Sequence, residues 1–448
     1  MKKSFLLIFL VLFSLNFFCL DPVGYSVFYD LSSNLKPTQQ ELTEILNFPE
    51  SSFIKIHLSR LFLGEKDEFL ISGKDEEYSV KGPFDGEIWL PSVSSDTVSI
   101  TLKRNSSSNP FFVVDEIGLG LPQNSGRVES ICENDDRKNP VCYDAVMQRA
   151  GDPVGRMLFQ SGAGWYLCTG SIISPNSHFL TNNHCIEDQV SANTLEVWWR
   201  YQSSTCEGTT GTKEYVSTGA QFITTNKNLD FTLLQLTDPK PVQSYGYIPL
   251  DNRLPIQGER IWIPQHGGGS IKKFSVESDM DQGGYAVVDD DNLEGWIANS
   301  DFGYYADTEG GSSGSPVLDL QNKIIGIHHF GLPSGYTCGT YMNQAVKISL
   351  IYPLIADYIG EPIPPHIISI TKAADPFRLI IQGENFKNGI SVFIGSSTTP
   401  WQNVSYKGDT KIVLKKGKSL KSMFPKGEAV QIKLVNPDGG TAYTTYSR

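Results

Sequence analysis

Residues 307–317 read Asp-Thr-Glu-Gly-Gly-Ser-Ser-Gly-Ser-Pro-Val, two serines held in a glycine-rich turn. A glycine beside a serine lets the backbone turn tightly and bare its N–H groups. Two such groups aimed at one point hold the negative oxygen of a tetrahedral acyl intermediate. A serine becomes a nucleophile when a histidine takes its proton, and the histidine needs an acid to orient it. Candidates for both lie upstream: His184 in Leu180-Thr181-Asn182-Asn183-His184-Cys185 and Asp230 in Asn228-Leu229-Asp230-Phe231-Thr232. The order is His, Asp, Ser313, with gaps of 230 − 184 = 46 and 313 − 230 = 83 residues. Each motif alone is weak; the three in this order carry the reading.

The elements around them read as strands. Leu167–Ile173 and Phe179–Thr181 precede His184, Glu196–Tyr201 follows it, and the apolar run Phe231–Leu236 follows Asp230 and buries it. Two β-barrels with the three residues at their seam follow from this layout. The His-Asp-Ser order and gaps resemble those of chymotrypsin-type enzymes, which run roughly 45 and roughly 90 residues. The segments CTGSIIS, FLTNNHC, VWWRYQSSTC, LDFTLLQL and GGSSGSPV…IIGIHHFG…C, spread over nearly all of 131–360, resemble the trypsin-like fold and, within it, the bacterial lysyl endopeptidases. The resemblance implies a serine endopeptidase with His184 as general base, Asp230 as its orienter, Ser313 as nucleophile, and the N–H groups of Gly311 and Ser313 as oxyanion donors. It also implies disulfides Cys168–Cys185, Cys142–Cys206 and Cys132–Cys338. From the residues alone, six cysteines in an exported chain allow 15 pairings.

Specificity stays open between three readings. Where the lysyl enzymes carry a pocket acid, this chain has Asn343, so a strict lysine preference does not carry over. Asp307, six residues before Ser313, stands where trypsins keep theirs and would pair with Lys or Arg; otherwise it braces its loop. His328 in Gly326-Ile327-His328 resembles the pocket histidine of glutamyl endopeptidases. Asn182-Asn183 replaces the residues usual before the histidine in the family.

At 448 residues with 40% hydrophobic residues, the chain is long enough for several packed domains, and frequent Gly and Pro point to an all-β architecture. A net charge of −12 disfavours nucleic acid or an anionic membrane as partner. Residues 1–20, Met-Lys-Lys followed by an apolar run, read as a signal peptide too short for a membrane span, so a secreted or cell-surface location follows. Cys19 is an alternative lipidation site, though Asn16-Phe17-Phe18 is a poor lipobox. Residues 21–120 alternate as short strands and resemble a β-sandwich pro-region, with Trp89 expected in its core. A connection at 121–130 leads to the protease domain at 131–360. A Pro-rich linker, 361–366, precedes 367–448, which resembles an immunoglobulin-like IPT/TIG domain through GENF, VFIG and VNPDGG, a spacer or protein-binding module. No cofactor or metal is expected. Asp279, Asp281 and Asp289-Asp290-Asp291 miss the EF-hand pattern and read as solvated loop, as does the lysine cluster 411–426. Gly310-x-Ser312-x-Gly314 formally fits an α/β-hydrolase elbow, but that fold needs its His and acid after the serine. The rival is a non-catalytic surface adhesin or binding protein carrying a decayed protease domain.

Overall fold

The computed structural model describes residues 21–122, 129–332, 338–360, 365–373, 376–395, 397, 399–436 and 440–448. The expected signal segment with Cys19, the middle of the 121–130 connection and most of the Pro-rich linker lie outside the described residues.

The chain is all-β, built from antiparallel sheets with a few short helices, of which Ile348–Ile359 is the longest. Period-two alternation explains the N-terminal strands: Thr97–Lys103 turns Val98, Ile100 and Leu102 inward and its polar residues outward. These residues meet Ile56, Leu58, Phe69 and Phe112 in one core between two sheets.

In the central region the strand Gly164–Ile172 pairs with Val154–Ser161 and His178–Thr181, and the latter pairs with Phe231–Leu236. A second sheet runs Asp301–Tyr304, Asn343–Lys347, Ile324–Phe330, Pro316–Leu318. The strand Phe231–Leu236 is almost wholly buried, Thr232 included, and only Gln235 is partly exposed. Leu180, Phe231 and Leu233 from the first sheet share a core with Ile327 and Val346 from the second and with Trp262, which bridges to Leu318. The candidate residues are carried by the two sheets that meet there.

Trp199 is fully buried among Phe179, Leu234 and Met157, whereas Trp198 lies under the Arg156 and Lys213 cations. Trp89 departs from expectation. It meets Trp165 of the central region edge to face, ring centroids 5.2 Å apart, instead of filling the N-terminal core. The reason is that strand Gly24–Asn34 pairs both with Phe111–Gly120 and with Gly164–Ile172, so one sheet continues across the junction. Beyond residue 365, a four-stranded and a three-stranded sheet enclose Leu379, Ile381, Val392, Ile412 and Ile432.

Candidate active site

His184 and Asp230 end neighbouring antiparallel strands: Thr181 opposes Thr232, which brings the turn after one strand beside the entry to the other. Asp230 sits in the left-handed region at φ 42°, closing the turn Lys227–Leu229 and aiming its side chain inward. Its Oδ1 accepts the backbone N–H of His184 at 3.0 Å, and its Oδ2 accepts Nδ1–H of the same ring at 2.7 Å. That double contact sets both the backbone and the tautomer of the imidazole. The Asn182-Asn183 pair has a structural use: Asn182 donates to the Asp230 carbonyl at 2.8 Å and Asn183 to Thr225 at 2.9 Å. The Cys168–Cys185 disulfide ties the residue after His184 to the strand Gly164–Ile172. Its sulfurs lie near His184, but as a disulfide they offer no thiolate for a metal.

One partner escaped the motif reading. His329 is buried, with Nδ1 at 3.2 Å from Asp230 Oδ2 and Nε2 at 2.6 Å from the fully buried Asp301. Burial pushes this imidazole down, but the two carboxylates outweigh it and raise it to about 9, so it is an imidazolium at neutral pH. Burial likewise pushes Asp230 up, and His184 with His329 outweigh it, holding the carboxylate well below its ordinary range.

The serine turn is fastened from behind. Gly268 N–H donates to the Gly310 carbonyl at 2.7 Å, Thr169 Oγ1 to that of Gly311 at 2.9 Å, and Thr169 N–H to that of Ser313 at 2.8 Å. Thr169 also accepts from Thr181 at 2.9 Å, which stitches the strand before His184 to the serine. The amides of Ser312, Gly314 and Ser315 are bonded to Glu309, His328 and Ser312 carbonyls. Among the described residues, those of Gly311 and Ser313 meet no protein acceptor. Gly314, at φ 87°, must be glycine, since a Cβ there would stand 2.1 Å from the Thr169 carbonyl. Of the two serines, Ser312 is buried, its hydroxyl donating to Gln265 and accepting from Glu309 N–H at 3.1 Å.

Asp307 is buried and spends both oxygens on backbone amides, those of Cys132 at 2.9 Å and Asp136 at 2.8 Å. These bonds brace the incoming segment, which the Cys132–Cys338 disulfide also holds. Burial pushes its carboxyl up to about 6 despite those two bonds. His328 is buried, with Nδ1 at 2.7 Å from the Tyr304 hydroxyl, and burial holds it down at about 3 and neutral. Asn343 donates to the Ala306 carbonyl at 2.8 Å and leaves its Oδ1 buried and unpartnered, as is Thr308 Oγ1. The third disulfide joins Cys142 to Cys206, away from these groups. Asp281 differs from the solvated loop expected of it: it is buried, and burial with its charge raises neighbouring Asp289 to about 7.

Residues 129–345 match the family model described as the lysyl endopeptidase C-terminal domain. Among curated proteins, the chain is 29% identical over 364 residues to the secreted RxLR effector protein 73 of Plasmopara viticola, covering 75% of this chain and 86% of that one. It is 30% identical over 314 residues to the lysyl endopeptidase of Pseudomonas aeruginosa, covering 62% of each chain. A glutamyl endopeptidase of Staphylococcus aureus is 41% identical over 44 residues, 10% of this chain and 14% of that one. Among solved structures, a Glu endopeptidase in complex with MPD aligns at 21% identity and a TM-score of 0.36, covering 51% of this chain and 98% of that chain. Over its central region the chain is thus similar to lysyl endopeptidases, which are serine peptidases.

Proposed function

We propose that the chain is an exported serine endopeptidase that works through His184, Asp230 and Ser313. In this reading Ser313 Oγ attacks the scissile carbonyl while His184 Nε2 takes its proton. The oxyanion rests on the N–H groups of Gly311 and Ser313. His184 then protonates the leaving amine, and a water activated by the same ring hydrolyses the acyl-enzyme. Asp230 fixes the ring's tautomer and stabilises the imidazolium that forms. The observation carrying the reading is the pairing of His184 with Asp230 through both backbone and ring, beside a turn whose only unbonded amides between 311 and 315 are the two an oxyanion needs.

The pocket reading shifts away from Lys or Arg. Asp307 is capped, Asn343 is neutral, and we take Thr308, Asn343 and His328, all uncharged polar groups, as the pocket lining. Such a lining favours a polar or carboxylate side chain before the scissile bond, as the name of the glutamyl relative also suggests. Three disulfides fit an oxidising compartment, and no described helix is long and apolar enough to cross a membrane. The strands beyond residue 365 are read as an IPT/TIG-like binding or spacer module.

A serine-reactive fluorophosphonate tests the reading. Labelling is expected in the wild type and in Ser312→Ala, and absent in Ser313→Ala. A chain that folds but does not label in any form would return the protein to the class of binding modules. A cleavage profile on peptide libraries dominated by Lys or Arg would overturn the pocket reading alone.

A further inference from the structure

The junction between residues 21–122 and the central region is built like an interior. Backbone hydrogen bonds cross it, from Val23 N–H to the Trp165 carbonyl at 2.8 Å and from Ser26 N–H to that of Ala163 at 3.1 Å. Trp165 is fully buried against Phe53, Trp89 and Val23 from the N-terminal side and Leu158 and Leu167 from its own. A Cβ added at Gly118 would stand 2.5 Å from the Trp165 indole nitrogen, so the two surfaces fit without a gap. Gln160 donates to Ser26 at 3.0 Å and to Glu116 at 2.7 Å.

The polar centre of the junction is Glu196. It is fully buried, and three donors reach it from the N-terminal side: Lys55 Nζ at 2.6 Å, Ser92 N–H at 2.8 Å and Ser92 Oγ at 2.7 Å. Its one donor from the central region is the Trp198 indole. Lys55 is itself fully buried, with the Leu90 carbonyl at 3.1 Å as its other partner. Further out, Lys213 lies over the Trp198 ring at 3.7 Å and pairs with Glu76 at 2.9 Å. Separation would leave a carboxylate with one donor in a pocket built for four, beside a bared tryptophan. Removing one partner of a buried ion pair is strongly destabilising, because the other charge is left without compensation. Interfaces of this kind, apolar and resembling a core cut in half, belong to obligate associations.

We propose that the N-terminal sandwich is a permanent subunit of the working protein: cutting the connection at 123–128 leaves 21–122 bound to the rest instead of releasing a pro-region. The proposal does not depend on the catalytic reading, and its test is run where catalysis is absent. A cleavage site for a sequence-specific protease is introduced at 123–128 in the full Ser313→Ala chain, so that self-digestion plays no part. After cutting, the two fragments are expected to co-elute on size exclusion at nanomolar concentration, while appearing as two bands under denaturing conditions. Gly118→Leu, which forces a side chain into Trp165, and Ser92→Ala, which removes one donor from Glu196, are expected to weaken the association about 100-fold and about 10-fold. Separation of the cut wild-type junction into two peaks, with the larger fragment still unfolding cooperatively, would overturn the proposal. So would unchanged association in Gly118→Leu. Absence of fluorophosphonate labelling in the uncut wild-type chain, with the cut Ser313→Ala fragments still co-eluting, would count against the protease reading only.

Discussion

Asp230 and Asp307 are two buried carboxylates in the same region, and their surroundings push them in opposite directions. Each accepts at least one backbone amide, and burial raises both. Asp230 also lies between two imidazoles, His184 at 2.7 Å and His329 at 3.2 Å, and is held far down the scale. Asp307 has only amides within bonding reach, with the Asp135 charge nearby opposing Arg137, and rises to about 6. At Asp307 two neutral amides do not offset the loss of hydration, whereas at Asp230 imidazoles in direct contact do. The first carboxylate is therefore suited to steady a developing imidazolium, and the second to pin a chain segment.

The sharpest way to break this contrast is Asp230→Asn. The side chain keeps its shape but loses its charge and turns an N–H₂ toward either the His184 amide or its ring. A fall in kcat of about 10⁴ with little change in KM is expected on a chromogenic peptide, from a wrong tautomer in an intact site. A loss of less than tenfold would mean that Asp230 is as structural as Asp307.

A smaller effect is expected one bond further out. His329→Gln removes the cation between Asp230 and Asp301, leaving two buried carboxylates with weaker partners. We expect kcat to fall about 10- to 100-fold while folding and labelling persist. The pH dependence separates positioning from mere packing. His329 is raised in the folded state from the ordinary 6.5 to about 9, so its contribution to stability is complete below about 6.5 and is lost as pH rises through 9. The gap corresponds to about 3 kcal/mol. Thermal denaturation of the wild type between pH 7 and 10 should show a falling melting temperature, and the fall should be blunted in His329→Gln. Equal slopes in the two proteins would remove the imidazolium from the account.

The sequence offered His184, Asp230 and Ser313 as candidates because chemistry and chain order are local facts that survive without coordinates. It hid His329 for a geometric reason. Ile324–Phe330 reads as a buried strand, and adjacent residues of a strand face opposite sides. Of the pair His328-His329, one points to Tyr304 and the other to Asp230, and strand parity alone does not say which. Asp301 is 71 residues from Asp230 and meets it only through His329, so spacing carries no trace of it. The all-β class was readable from alternation and turn residues. The continuous sheet at the N-terminal junction was not, since Lys55 and Glu196 are 141 residues apart and each looks like an ordinary surface charge. Trp89 was misplaced for the same reason: a lone tryptophan announces burial but not against what.

The smallest expected effect is on the other side of the contrast, at Asp307. If its carboxylate only pins residues 132–136, Asp307→Asn should leave kcat/KM within about threefold for every side chain before the scissile bond, Lys and Arg included. One of the two amide bonds is lost, at a cost of about 1 kcal/mol. The pH dependence should nonetheless change in a definite sense. The folded carboxyl is raised above its unfolded value, so the protonated form is the one folding favours; its contribution is complete below about pH 4 and is lost as pH rises through about 6. Wild-type stability should therefore carry a descending component of about 3 kcal/mol in all, centred between pH 4 and 6, that Asp307→Asn lacks, measured as the difference between the two denaturation curves. A variant that selectively loses cleavage after Lys or Arg would instead make Asp307 a pocket charge. The two carboxylates would then differ in which cation they meet, a ring of the protein or a side chain of the substrate.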